Sequence, residues 1–131
     1  MSLTGLPSFS YANQYCEKLE YHTNTFTKDT GFKGLTLSWR VYNKIINEHE
    51  TYKGIPLNFK NKENYKYVPL LFFGEFSSSQ NQVLSLDNKT VNNKLSINLY
   101  STKNDLGTSS IGQKFILTFI PKSCDYYINI N

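Results

Sequence analysis

From Leu19 to the C-terminus the chain consists of short stretches in which apolar and polar residues alternate, separated by turn formers at intervals of roughly 8–15 residues. A period of two places every second side chain on one face of a strand. Leu19–Phe26 sets Leu19, Tyr21, Thr23 and Thr25 against Glu20, His22 and Asn24. Leu35–Tyr42 sets Leu35, Leu37, Trp39 and Val41 against Thr36, Ser38, Arg40 and Tyr42, which predicts a strand with Trp39 as a core anchor. Ile55, Leu57 and Phe59 alternate beside Pro56, as an edge strand does. Tyr65–Phe76 is apolar on both faces, which predicts a central strand covered on both sides, with Gly74 marking a bulge or bend.

Val83–Leu86 and Lys94–Tyr100 flank residues 87–93 and predict a hairpin with a longer loop, with Leu95, Ile97 and Leu99 on its inner face. Phe115, Leu117 and Phe119 alternate up to Pro121, and Tyr126, Ile128 and Ile130 close the chain as a last strand. The pattern predicts an all-β fold, an antiparallel β-sandwich of about 7–9 strands. One short helix is allowed near 43–50, where Ile45 and Ile46 are the apolar residues.

Composition agrees. Ala12 is the single alanine, although alanine is the strongest helix former, and the aromatic fraction is 15%. At 131 residues the chain has the size of one domain, spanning 1–131 with an irregular N-terminal arm over 1–18. No run approaches the ~18 apolar residues of a membrane span, and Met1–Leu3 precede no leader pattern. An original leader replaced by those residues would place the protein outside the cytoplasm; otherwise it is cytoplasmic.

Net charge is +4, yet thirteen of the fourteen cations are lysine and Arg40 is the lone arginine. Nucleic-acid readers favour the planar fork of arginine, so this balance argues against nucleic acid as a partner. Cys16 and Cys124 lie near opposite ends of the chain. A disulfide between them would close a long loop and imply an oxidising compartment; two separate buried thiols are the other reading.

The usual catalytic constellations are missing from the sequence. His22 and His49 have no second histidine or cysteine at metal-ligand spacing; His22 with Glu20 is the one pair that shares a strand face. No G-x-S-x-G frames a serine nucleophile, and no glycine loop has a phosphate-binding fingerprint. Glu75, between Gly74 and Phe76, is the one acid inside an apolar run, and the simplest reading points it at solvent. No enzyme activity, no cofactor and no metal are expected.

Binding signals remain. Lys60, Lys62, Tyr65, Lys66 and Tyr67 interleave cations with rings that can stack on sugars or bases. Tyr42, Tyr100 and Tyr127 fall on polar strand faces, where a tyrosine offers an apolar ring and a bonding hydroxyl. The loops Asn43–Gly54, Asn58–Lys66 and Thr102–Gly112 are the expected carriers of binding. Asn88-Lys89-Thr90 is an N-glycosylation sequon in a predicted turn.

The segment from Lys94 to Gly112, Leu95-Ser96-Ile97-Asn98-Leu99-Tyr100 through Ser109-Ser110-Ile111-Gly112, resembles the strand–loop–Ile-Gly segment of C2 domains. Those domains are β-sandwiches of similar size that dock on lipid or protein. The resemblance covers under a fifth of the chain. Ser101 and Lys103 stand where calcium-binding members carry aspartates, so it implies a sandwich without calcium ligands.

The expected function is a non-enzymatic assembly or recognition module of an extracytoplasmic machine, surface structure or virus particle. Its partner would be another protein or a second copy of the chain. A carbohydrate- or lipid-binding module is the alternative, followed by a small hydrolase.

Overall fold

The computed structural model describes residues 19–48, 65–76, 80–108 and 111–131. Within them the order is β1 (Tyr21–Phe26), β2 (Gly34–Thr36), α1 (Trp39–Glu48), β3 (Tyr67–Phe73), β4 (Gln80–Val91), β5 (Lys94–Thr108), β6 (Gln113–Pro121) and β7 (Asp125–Ile130). The strands form a four-stranded sheet ordered β1-β6-β3-β2 and a three-stranded sheet ordered β4-β5-β7. Among the described residues the fold is all-β, two sheets with one short helix.

β3 and β6 lie inside the four-stranded sheet and are apolar on both faces, as Tyr65–Phe76 predicts. One face of this pair (Leu70, Phe72, Ile116, Ile120) meets Leu84, Leu86, Leu95, Ile97 and Leu99 of the other sheet. Its opposite face (Leu71, Phe73, Phe115, Leu117, Phe119) meets Phe26 and the helix residues Tyr42 and Ile45. The layers therefore run helix, four-stranded sheet, three-stranded sheet. Each internal boundary is a close-packed apolar seam that excludes water.

The helix corrects the expected strand over Leu35–Tyr42, because the strand stops at Thr36. Ser38 caps the helix: its Oγ accepts from Val41 N at 3.3 Å, and its carbonyl accepts from Tyr42 N at 3.0 Å. Beyond that cap Trp39, Tyr42, Ile45 and Ile46 recur at helical spacing and face the sheet, while Arg40, Asn43 and Lys44 face solvent. Trp39 is a packing anchor, but from a helix. Its indole stacks on Phe119 at 5.7 Å and donates Nε1–H to Tyr67 O at 3.0 Å.

The pairing pattern of β3 accommodates a proline inside a sheet. Gly74 N donates to Lys114 O and Lys122 N donates to Lys66 O, each at 2.8 Å, so even-numbered β3 residues bond β6. The odd-numbered residues, Pro69 among them, face the β2 side. There β2 reaches only Leu71–Phe73, so the missing N–H of Pro69 interrupts no ladder. The Trp39 indole occupies the same side at Tyr67.

Three further expectations change. The hairpin turn is the pair Asn92-Asn93, with φ of 53° and 62°, and β4 runs to Val91. Both central residues sit in the left-handed region that two-residue hairpins require and that asparagine tolerates. The stretch read as a loop from Thr102, and within the C2-like segment, is strand as far as Thr108. Pairing with β4 at Thr102, Lys103 and Thr108 carries it, and a register shift between Gln80 and Gln82 takes up residues 104–107. Finally, β7 pairs with β5 in parallel, Leu95 opposite Tyr126 and Ile97 opposite Ile128, so the sandwich is not wholly antiparallel. The expected strand at Ile55–Phe59 lies outside the described residues.

Polar side chains join the layers where apolar ones run out. Asn88 Oδ1 accepts from Leu19 N at 3.1 Å and its Nδ2 donates to Leu19 O at 3.5 Å. At the other end of β4, Gln82 Oε1 accepts from Glu75 N at 2.9 Å and its Nε2 donates to Ser101 Oγ at 2.7 Å. A Cβ on Gly74 would stand 2.4 Å from Gln82 Oε1, so a larger residue there must displace the Gln82 side chain.

Candidate functional site

Two surfaces collect the residues that the sequence singles out. The first is a cleft of about 370 Å³ lined by Tyr65, Lys66, Tyr67, Pro121, Lys122 and Ser123. The Lys122 N to Lys66 O bond holds the β6–β7 turn against the start of β3, and the Trp39 indole fixes Tyr67 from behind. Tyr65 is 68% exposed, and Lys66 Nζ stands 5.6 Å from its ring centroid. None of the six lining residues is acidic, so the cleft offers ring faces beside two ammonium groups. Such a site suits a sugar ring or an anionic headgroup.

Tyr65, Lys66 and Tyr67 are thus brought together, joined by Lys122 and Ser123, which the sequence does not flag. Lys60 and Lys62 lie outside the described residues. Tyr42 is a correction: it is 2% exposed and packs edge-on against Trp39 and Phe119, because its segment is a helix whose inner face it occupies. It belongs to the core and is not available to a ligand.

The second surface is the outer face of the three-stranded sheet. Alternation along β4 buries Leu84 and Leu86 and turns Val83, Ser85, Asp87, Lys89 and Val91 outward. The registers set Ser85 beside Tyr100, Asp87 beside Asn98 and Asn129, and Lys89 beside Ser96 and Tyr127. Tyr100 and Tyr127 are 36% and 46% exposed, and Val83 and Val91 are also exposed. From strand geometry the two tyrosines stand about 14 Å apart on this face. Between them Asn129 Nδ2 donates to Asn98 Oδ1 at 3.3 Å. Bearing exposed rings and paired amides, the face is suited to contact over an area rather than to enclosing a small molecule.

Other candidates disperse. Glu75 is exposed and lines a shallow hollow of about 320 Å³ with Asp29, Lys33 and Gln113. The Gln113 side chain is 1% exposed. Its Oε1 accepts from Thr30 N at 3.1 Å and Thr30 Oγ1 at 2.7 Å, and its Nε2 donates to Gly74 O at 2.9 Å and to Phe32 O. With both ends of the amide engaged, Gln113 is a structural clamp.

Half-buried His22 sits on β1, and Glu20 is exposed just before it. Among the described residues no three potential ligands cluster around a metal position. Asn88 lies within β4 rather than in a turn, with its amide on Leu19, so the predicted setting for a glycan is not the one observed. Cys124 is buried in the seam between the sheets, and Cys16 lies outside the described residues. No helix among the described residues is long and apolar enough to cross a membrane.

No family model, curated protein or solved structure matches this chain.

Proposed function

We propose that the chain is a non-enzymatic assembly module that holds a protein partner against the outer face of the β4-β5-β7 sheet. The observation that carries this reading is the exposure of Tyr100 and Tyr127 on one face of a sheet whose other face is buried. Behind it Leu95, Ile97 and Leu99 are fully buried, so the tyrosines are presented by a rigid layer and lose little freedom on contact. Work as a component of an extracytoplasmic machine, surface structure or virus particle fits such a face, and a Cys16–Cys124 disulfide would fit that compartment.

Photo-crosslinking residues placed at positions 100, 127 and 65 in source cells test this reading. Protein adducts are expected from 100 and 127. Adducts from 65 alone, or none, would overturn it.

The cleft favours a second reading, a carbohydrate- or lipid-binding module. Screening acidic glycans and anionic vesicles would detect that activity, and Tyr65→Ala with Lys122→Ala should abolish it. Retention by the double variant would exclude the cleft as its site.

A further inference from the structure

The cleft beside the β6–β7 turn sets two like charges against each other. β3 and β6 pair with Tyr67 opposite Pro121, and the bond from Lys122 N to Lys66 O carries that register one residue further. Lys66 and Lys122 are therefore cross-strand neighbours at the end of the sheet. Like charges in that relation repel and lower stability. None of the lining residues is acidic, so an anion seated between the two ammonium groups would turn repulsion into attraction.

The turn that carries Lys122 is held in place. Cys124 N donates to Pro121 O at 3.0 Å, closing a four-residue turn with Lys122 and Ser123 at its centre. Cys124 is buried in the seam between the sheets, which anchors the end of the turn in the core. Lys122 and Ser123 are exposed, and across from them Tyr65 is 68% exposed.

Ring and charge together select the ligand. An exposed tyrosine ring offers a face to the C–H side of a pyranose, and the hydroxyls of Tyr65 and Ser123 can bond to its hydroxyls. The ammonium groups supply charge-assisted bonds to a carboxylate. An anionic membrane is the competing partner. Each lysine near such a surface contributes about 1 kcal/mol, and lipid-binding clusters gather about four to eight cations. The cleft has two, and Tyr65 is the one large apolar side chain exposed in its lining, which is too little to dock on a bilayer.

We infer that the cleft binds a carboxylated sugar, with a pyranose against Tyr65 and its carboxylate between Lys66 and Lys122. The volume of about 370 Å³ lies at the lower end of the range for small-molecule sites, about 300–1,000 Å³. This inference rests on the reading of the cleft as a binding site and leaves the outer-face reading untouched.

An array of glycans ending in uronic or sialic acids, each beside its methyl ester, tests it, with phosphatidylserine vesicles as the membrane arm. The wild type is expected to bind at least one carboxylated glycan, and esterification should weaken that binding about ten- to hundredfold. Vesicles should not pellet the chain. Lys122→Ala should weaken binding of the acid by a similar factor, whereas Lys122→Arg should retain it. Because Lys122→Ala also relieves the repulsion, its Tm should equal or exceed that of the wild type, so lost binding is not lost folding.

Equal binding of acid and ester, a Lys122→Ala variant that binds as well as wild type, or one with a lowered Tm would overturn the inference. Vesicle binding that disappears in Tyr65→Ala would sink the sugar and leave the cleft as a binding site. A wild type that binds neither glycans nor vesicles removes both.

Discussion

Replacing Gln113 by leucine keeps the volume of the side chain and removes all of its hydrogen bonds. Four groups lose a partner: Thr30 N, Thr30 Oγ1, Phe32 O and Gly74 O. The Thr30 hydroxyl keeps its contacts with Phe32 N at 3.2 Å and Phe32 O at 3.5 Å, so it is largely compensated. Gly74 O lies on the fully buried side and is left without its amide donor, at a cost of about 1–3 kcal/mol. Thr30 N and Phe32 O are part-buried and can recruit water, at about 0.5–1 kcal/mol each.

The expected loss is about 3 kcal/mol, a large part of the 5–15 kcal/mol typical of a domain. For a chain of this length that lowers Tm by roughly 10 °C. Urea titration followed by tryptophan fluorescence measures the loss, because Trp39 reports on the helix–sheet seam.

Gln113→Glu separates hydrogen bonding from shape. Its carboxyl cannot donate to Phe32 O or Gly74 O once ionised, and burial raises its folded-state pKa above the unfolded value. The folded state then binds the proton more tightly, so this variant should be most stable below the unfolded carboxylate pKa. It should lose stability relative to wild type as pH rises through the raised folded value. A Gln113→Leu loss below about 1 kcal/mol, or a Gln113→Glu variant indifferent to pH between 4 and 7, would refute the clamp.

Asn93→Gly should stabilise the chain by about 0.5–1 kcal/mol, since glycine reaches positive φ without the penalty that asparagine retains; a destabilised variant would contradict the turn assignment. Asn88→Ala should cost about 1–2 kcal/mol by releasing the backbone of Leu19, and unchanged thermal unfolding would contradict that tie. Intact mass of native protein treated with an alkylating agent, with and without reductant, tests the Cys16–Cys124 bridge. Two alkyl groups added only after reduction are expected, and two added without it would exclude the bridge.

How far the sequence specifies this molecule varies by element. β3, β5 and β6 are legible because burial on one or both faces writes itself as alternation or as a continuous apolar run. The helix is masked by coincidence. Leu35 and Leu37 face the seam between the sheets, Trp39 and Val41 face the other side, and together they continue a spacing of two across a strand end and a cap. Ser38 followed by Trp39, Tyr42, Ile45 and Ile46 carries the helical signal, and it was available in the sequence.

The cleft is half legible. Tyr65 to Tyr67 declare themselves by mixing rings and cations, whereas Lys122 joins them only through a long-range backbone bond. Gln113 was not legible at all, since its partners at residues 30, 32 and 74 are adjacent only in the folded chain. The parallel seating of β7 on β5 is likewise a choice of topology that no local pattern encodes.

Contact through the outside of the three-stranded sheet is the proposed mode of action. Hydrogen–deuterium exchange, comparing the isolated chain with the chain in its native assembly, tests it most directly. Slower exchange is predicted in peptides from β4, β5 and β7, with residues 65–67 and 121–123 unchanged. Protection at the cleft, with β4, β5 and β7 unaltered, would contradict it.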